Sequence, residues 1–90
     1  MKNGNVREFV EHIHYGDELW FLFGGKKYFL EGWNENGTSK LFLYEMSPDG
    51  VEYVWTGDGE TYPVKKFLDA KIWDGKNFWD AEQEMTWVDC

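Results

Sequence analysis

Cysteine is almost absent from this sequence: of its 90 residues, Cys90 is the only one. A single thiol excludes an intramolecular disulfide and every cysteine-based zinc spacing, and it points to a reduced, cytosolic setting. Basic residues are scarce as well, with Lys+Arg 9 against Asp+Glu 17 and a formal charge of −8. That balance repels a phosphate backbone and an anionic membrane surface alike, so neither direct nucleic-acid binding nor membrane binding is expected. No run of about 18 apolar residues is present, as a membrane-spanning helix requires. The first residues also lack the basic-then-apolar layout of a signal peptide, so a cytoplasmic, soluble protein is expected. Proline occurs twice, at Pro48 and Pro63. With no Gly/Ser linker, low-complexity run or internal repeat, residues 1–90 are expected to form a single domain around one core.

Aromatic residues are abundant instead, at 20% of the chain with 6 Trp among them. Each ring residue buries roughly 150–250 Å² when enclosed, which is ample apolar area for a core without a covalent staple. Asn5 stands where it caps a helix, Glu8 occupies the capping-box position, and Val6, Phe9, Val10 and Ile13 recur at helical spacing before Gly16. From Leu19 onward the pattern changes to dense aromatic and aliphatic runs broken by turn residues, which predicts strands. These are Leu19 to Phe23, Tyr28 to Trp33, Lys40 to Met46 and Val51 to Thr56, joined by turns at Gly24-Gly25, Asn36-Gly37 and Pro48-Asp49-Gly50. Pro63 opens a short helix at its first position, with Val64, Phe67 and Leu68 as its apolar stripe. Asn77 caps another from Phe78 to about Met85, and Thr86 to Val88 is placed to add a short last strand. The expected fold is α+β: an antiparallel four-stranded meander with an N-terminal helix and two short C-terminal helices.

Alternation puts Leu19, Phe21 and Phe23 on one face of the sheet, with Tyr28 and Leu30 or with Leu41 and Leu43. The opposite face then receives Trp20, Leu22, Phe29, Trp33, Phe42 and Tyr44, where a sheet covered on one side normally shows polar residues. Either helices wrap both faces, or bulges mix the two sets, or the second face is a partner surface. Trp and Tyr dominate binding hot spots, and self-association is the simplest interface of that kind.

No catalytic, cofactor-binding or metal-ligating set emerges. His12 and His14 are two apart, so on a helix they point in different directions. Aligning Gly75 with the glycine of a calcium loop puts Ala70, Ile72 and Ala81 at ligand positions, so Asp69 and Asp74 do not make one. Gly24-Gly25-Lys26-Lys27 lacks the spacing of a phosphate loop and reads as a hairpin turn. Glu31 and Glu45 are placed to meet across adjacent strands, but no spacing singles them out as an acid–base pair. Cys90 lies beside Asp89 and the terminal carboxylate, which oppose thiolate formation, so it is not expected to be a nucleophile.

Charge placement is more informative. Glu45, Asp49, Glu52, Asp58 and Glu60 fall in one segment without Lys or Arg, and Asp80, Glu82 and Glu84 form a second acidic group. Such clusters are either a solvated face or a surface that docks on a basic partner.

The hairpin Gly25-Lys26-Lys27-Tyr28-Phe29 and the ending Phe67-Leu68-Asp69-Ala70, Asp74-Gly75-Lys76, Phe78-Trp79, Ala81-Glu82 and Trp87-Val88-Asp89 resemble a group of small uncharacterised bacterial and phage-borne proteins. The likeness covers most of the chain. It implies a short intracellular protein of prophage or mobile-element type, and it transfers no activity and no site residues.

Three functions are compatible with these features. The first is a non-enzymatic protein-binding module acting through the aromatic sheet face, as a homodimer in its simplest form. The second is an acidic, DNA-mimicking inhibitor of a nucleic-acid-binding host protein. The third is a small-ligand binder with a pocket between helices and sheet, lined by Trp, Tyr and a carboxylate.

Overall fold

The computed structural model describes residues 1–88, so the reading of Asp89 and Cys90 lies outside the described residues. The order of elements is α1 (Val6–His14), β1 (Leu19–Phe23), β2 (Lys26–Glu35), β3 (Thr38–Ser47), β4 (Gly50–Gly59), α2 (Val64–Asp69), α3 (Phe78–Ala81) and β5 (Thr86–Val88). Asn5 caps α1 as its sequence position predicts, its side chain accepting from the Arg7 and Glu8 N–H groups. Pro63 departs from expectation: it sits one residue before α2, at φ −78° and ψ 60°, so the helix starts at Val64. α3 is shorter than Phe78 to Met85, because after Ala81 the chain tightens into a 3₁₀ turn over Glu82–Glu84.

The sheet has five strands, not four, in the order β4-β3-β2-β1-β5, all antiparallel. Two-residue turns set the register of the meander. Gly24 and Gly25 both have positive φ and place Phe23 opposite Lys26; Asn36 and Gly37 do the same and place Glu35 opposite Thr38. The fifth strand arrives from the C-terminal region and pairs with the free side of β1, Phe21 opposite Trp87.

One side of the sheet is the core side. Leu19, Phe21, Phe23, Tyr28, Leu30, Leu41 and Leu43 form a single buried cluster with Phe9 and Ile13 of α1, Val64, Phe67 and Leu68 of α2, Phe78 and Ala81 of α3, and Trp73 and Met85 between elements. All three helices therefore cover the same side. None of Trp20, Leu22, Phe29, Trp33, Phe42 and Tyr44 belongs to this cluster or to the partly buried residues packed against it. Helices wrapping both faces are thereby excluded for the described residues.

At Gly32 of β2 the covering layer comes closest. A Cβ there would stand 2.6 Å from the Gly16 Cα and 2.7 Å from a ring carbon of Tyr62. Because one of those atoms is backbone held at a positive φ, it has little room to yield. Gly32→Ala is accordingly expected to cost about 1–3 kcal/mol, the usual range for overpacking a core. Thermal unfolding followed by circular dichroism checks this.

Candidate functional site

Strand alternation sends every second side chain of β1–β3 away from the helices, and the two-residue turns bring like rows together. One row runs across the whole sheet: Val88 of β5 opposite Trp20, Trp20 opposite Phe29, Phe29 opposite Tyr44, and Tyr44 opposite Tyr53. Its rings touch in sequence, Trp20 and Phe29 at 4.2 Å between centroids, Phe29 and Tyr44 at 5.9 Å, Tyr44 and Tyr53 at 4.9 Å. The first two pairs are near-parallel stacks, at 22° and 19° between planes. Aromatic pairs of this kind contribute about 0.5–1.5 kcal/mol each beyond their buried area. Part of this face thus organises itself, while its outer surface stays in water.

The six residues expected on this face do share it, and the row above and the row below complete it. On one flank Leu22 pairs with Lys27, Lys27 with Met46 and Met46 with Val51; on the other, Glu31 pairs with Phe42 and Phe42 with Thr56. Trp33 lies one step further, opposite Lys40. Leu22 is 38% exposed, Val51 56%, Trp33 57% and Tyr53 74%, high values for large apolar side chains on one face of a sheet. A contiguous apolar patch of this kind is uncommon on a monomer surface that has no partner.

Tyr53 and Val51 are functional candidates that the alternation rule misses. Simple period two would put Tyr53 and Trp55 on the same side of β4. A register shift between Leu43 and Tyr44 instead sets Trp55 opposite Leu43 on the core side and Tyr53 opposite Tyr44 on the open side. The bulged residue is Val54, and nothing in the local sequence announces it.

Glu31 is the one acidic group of the central rows. Its Oε1 accepts from the Trp33 indole N–H at 2.7 Å and from the Tyr44 hydroxyl at 3.1 Å. Partial burial, and then this hydrogen bond to a carboxylate, push the Tyr44 phenol above the ordinary tyrosine range. No Lys, Arg or His stands within ion-pair distance of Glu31 among the described residues. Lys27 likewise has no carboxylate partner there; its Nζ lies 5.0 Å from the centre of the Trp20 ring, a cation–π contact. Glu31, Trp33, Glu35, Phe42, Tyr44 and Tyr53 line an open dish of about 250 Å³. Trp, Tyr and carboxylates therefore do meet, but on the uncovered face and not between helices and sheet.

The expected meeting of Glu31 with Glu45 does not occur. Glu31 faces Phe42 on the open side, whereas Glu45 faces Tyr28 on the helix side and pairs with Lys26 at 3.3 Å. The acidic residues are divided among different surfaces. Glu45 and Glu52 are opposite each other on the helix side of the sheet, Asp58 is opposite Lys40 at the end of the open side, Asp49 is in the β3–β4 turn and Glu60 follows β4. In the second group Glu82 binds the N-terminal ammonium at 2.5 Å, Glu84 approaches Lys76 at 3.9 Å, and Asp80 sits in the first turn of α3. His12 donates from Nδ1 to Asp17 Oδ2 at 2.8 Å.

The sheet edges are less available than its face. The outer side of β5 is closed by Lys2, whose N–H donates to the Met85 carbonyl and whose carbonyl accepts from the Trp87 N–H. The outer strand at the other edge, β4, carries Glu52, Asp58 and the Val54 bulge, features that discourage strand addition. Among the described residues no three His, Cys, Asp or Glu come together to hold a metal ion, and no helix is long and apolar enough to cross a membrane. Neither family models, curated proteins nor solved structures match this chain.

Proposed function

We propose that this chain is a non-enzymatic protein-binding module that works through the open aromatic face of its sheet, and that the face docks a second copy of the chain. The row Trp20, Phe29, Tyr44, Tyr53, crossing four strands on the side no helix covers, carries this reading. Apolar area removed from water contributes roughly 25 cal/mol per Å², so rings held in a fixed array gain by association without a large ordering cost. Three ten-residue strands, the five residues of β1 and the three of β5 give the face about 600 Å² in plan, approaching the roughly 800 Å² per partner found in stable interfaces.

Sedimentation equilibrium is the test. The expected mass is twice the 10.7 kDa of the chain, with dissociation on dilution. Nuclear magnetic resonance signals of Trp20, Phe29 and Tyr44 are expected to shift with concentration while those of α2 stay fixed. A mass that remains at 10.7 kDa up to concentrations on the order of 1 mM overturns the self-docking reading.

A further inference from the structure

The geometry points to one arrangement of the two copies: face to face about a two-fold axis that passes over Phe29, perpendicular to β2, so that Lys27 of each copy meets Glu31 of the other. This rests on the face being a docking surface. It adds the register, and it makes Lys27 and Glu31, which flank Phe29 on β2, into specificity groups.

Lys27, Phe29 and Glu31 are alternate residues of one strand, so all three project from the open side, with the charges at equal distance on either side of the ring. Each charge stands about 7 Å from Phe29 along the strand, and stacked sheets lie about 10 Å apart, a gap that a lysine and a glutamate span together. An axis across the strands at Phe29 reverses β2 on itself and brings position 27 of one copy over position 31 of the other, twice. An axis running along β2 would set ammonium on ammonium and carboxylate on carboxylate, which costs affinity.

The neighbouring strands fit the same operation. Met46 is in register with Lys27, and Phe42 with Glu31, so the axis also lays each thioether on a partner ring, a favourable sulfur–aromatic contact. The central row falls on its own copy, Trp20, Phe29, Tyr44 and Tyr53 each opposite itself, which is the self-complementarity a two-fold interface requires. Among the described residues Lys27 and Glu31 have no ion partner within one chain: Lys27 lies over Trp20, and Glu31 is bound by Trp33 and Tyr44 through one oxygen, leaving its Oε2 without a hydrogen-bond partner there. In the dimer Lys27 leaves the Trp20 ring to reach the open Oε2 of Glu31 across the interface, while Oε1 keeps its bonds to Trp33 and Tyr44.

Charge reversal separates this arrangement from any other. Lys27→Glu gives a copy with carboxylates on both sides of Phe29, and Glu31→Lys gives one with ammonium groups on both sides. Each variant alone is expected to lose at least about 100-fold in dimer affinity, because every contact in its homodimer joins like charges. Mixed in equal amounts they are expected to form a one-to-one heterodimer with affinity near that of the wild type, read by sedimentation with one variant fluorescently labelled. Recovery in the mixture also shows that both variants fold. A wild-type dimer whose affinity neither reversal changes by more than about threefold, or a mixture no tighter than the separate variants, overturns the register while the docking face stands. A wild-type chain that stays monomeric overturns both.

Discussion

Replacing Trp73 with alanine is expected to destabilise the domain by about 3–5 kcal/mol, a large part of the 5–15 kcal/mol that holds a small domain together. Trp73 is 1% exposed and is the largest of the fully buried side chains. Its ring meets Tyr28 at 5.0 Å, Phe23 at 5.3 Å, Phe21 at 5.6 Å and Phe67 at 6.5 Å, edge to face in each case. It thus joins β1, β2 and α2 through one side chain, and no rearrangement of those rings fills the space it leaves. Trp73→Phe is expected to cost distinctly less. It keeps a ring against the four neighbours and removes the indole N–H, which is buried with no hydrogen-bond partner and so is a polar group better absent. Urea denaturation of the two variants checks the order, and a Trp73→Ala loss under about 1 kcal/mol would mean that the ring is not central to the core.

Trp73 also marks where sequence reasoning runs short. It lies between α2 and the Asp74-Gly75 turn, in a stretch with no period of two or 3.6, so only its size hints at burial. Elements with their own punctuation were legible: Asn5 and the spacing of Phe9 and Ile13 define α1, and the Gly24-Gly25 and Asn36-Gly37 pairs define two hairpins. The register was legible in the same signals. A two-residue turn at Asn36-Gly37 fixes Glu31 opposite Phe42 and Glu45 opposite Tyr28, which already rules out a meeting of the two glutamates. The side that the helices take was not legible, because both sides of β1–β3 are rich in rings, and alternation separates two sets without ranking them. The join between β5 and β1 depends on residues more than sixty apart in the chain, and local pattern carries no information about such a pairing. The bulge at Val54 hid Tyr53 for a related reason, since a single unpaired residue reverses the parity of everything beyond it.

Phe29→Thr is expected to abolish association while leaving a folded chain. Phe29 is half-buried in the middle of the open face, stacked on Trp20 and Tyr44, and contributes nothing to the cluster under the helices. Threonine retains a strong strand preference, so the loss within one chain is confined to ring contacts, on the order of 1–2 kcal/mol. In a two-fold dimer the same ring lies on the axis and is removed from both copies at once. Hot-spot aromatic residues cost at least about 2 kcal/mol each on truncation, so losing two weakens the dimer by a factor of about a thousand. The two effects separate in one measurement. A dimer that forms only from folded chains gains stability by mass action, so the unfolding temperature of the wild type rises with concentration. For Phe29→Thr the unfolding temperature is expected to be lower and independent of concentration. A variant whose unfolding temperature still climbs in parallel with the wild type would place the interface elsewhere on the molecule, away from the row of rings that Trp20, Phe29, Tyr44 and Tyr53 form.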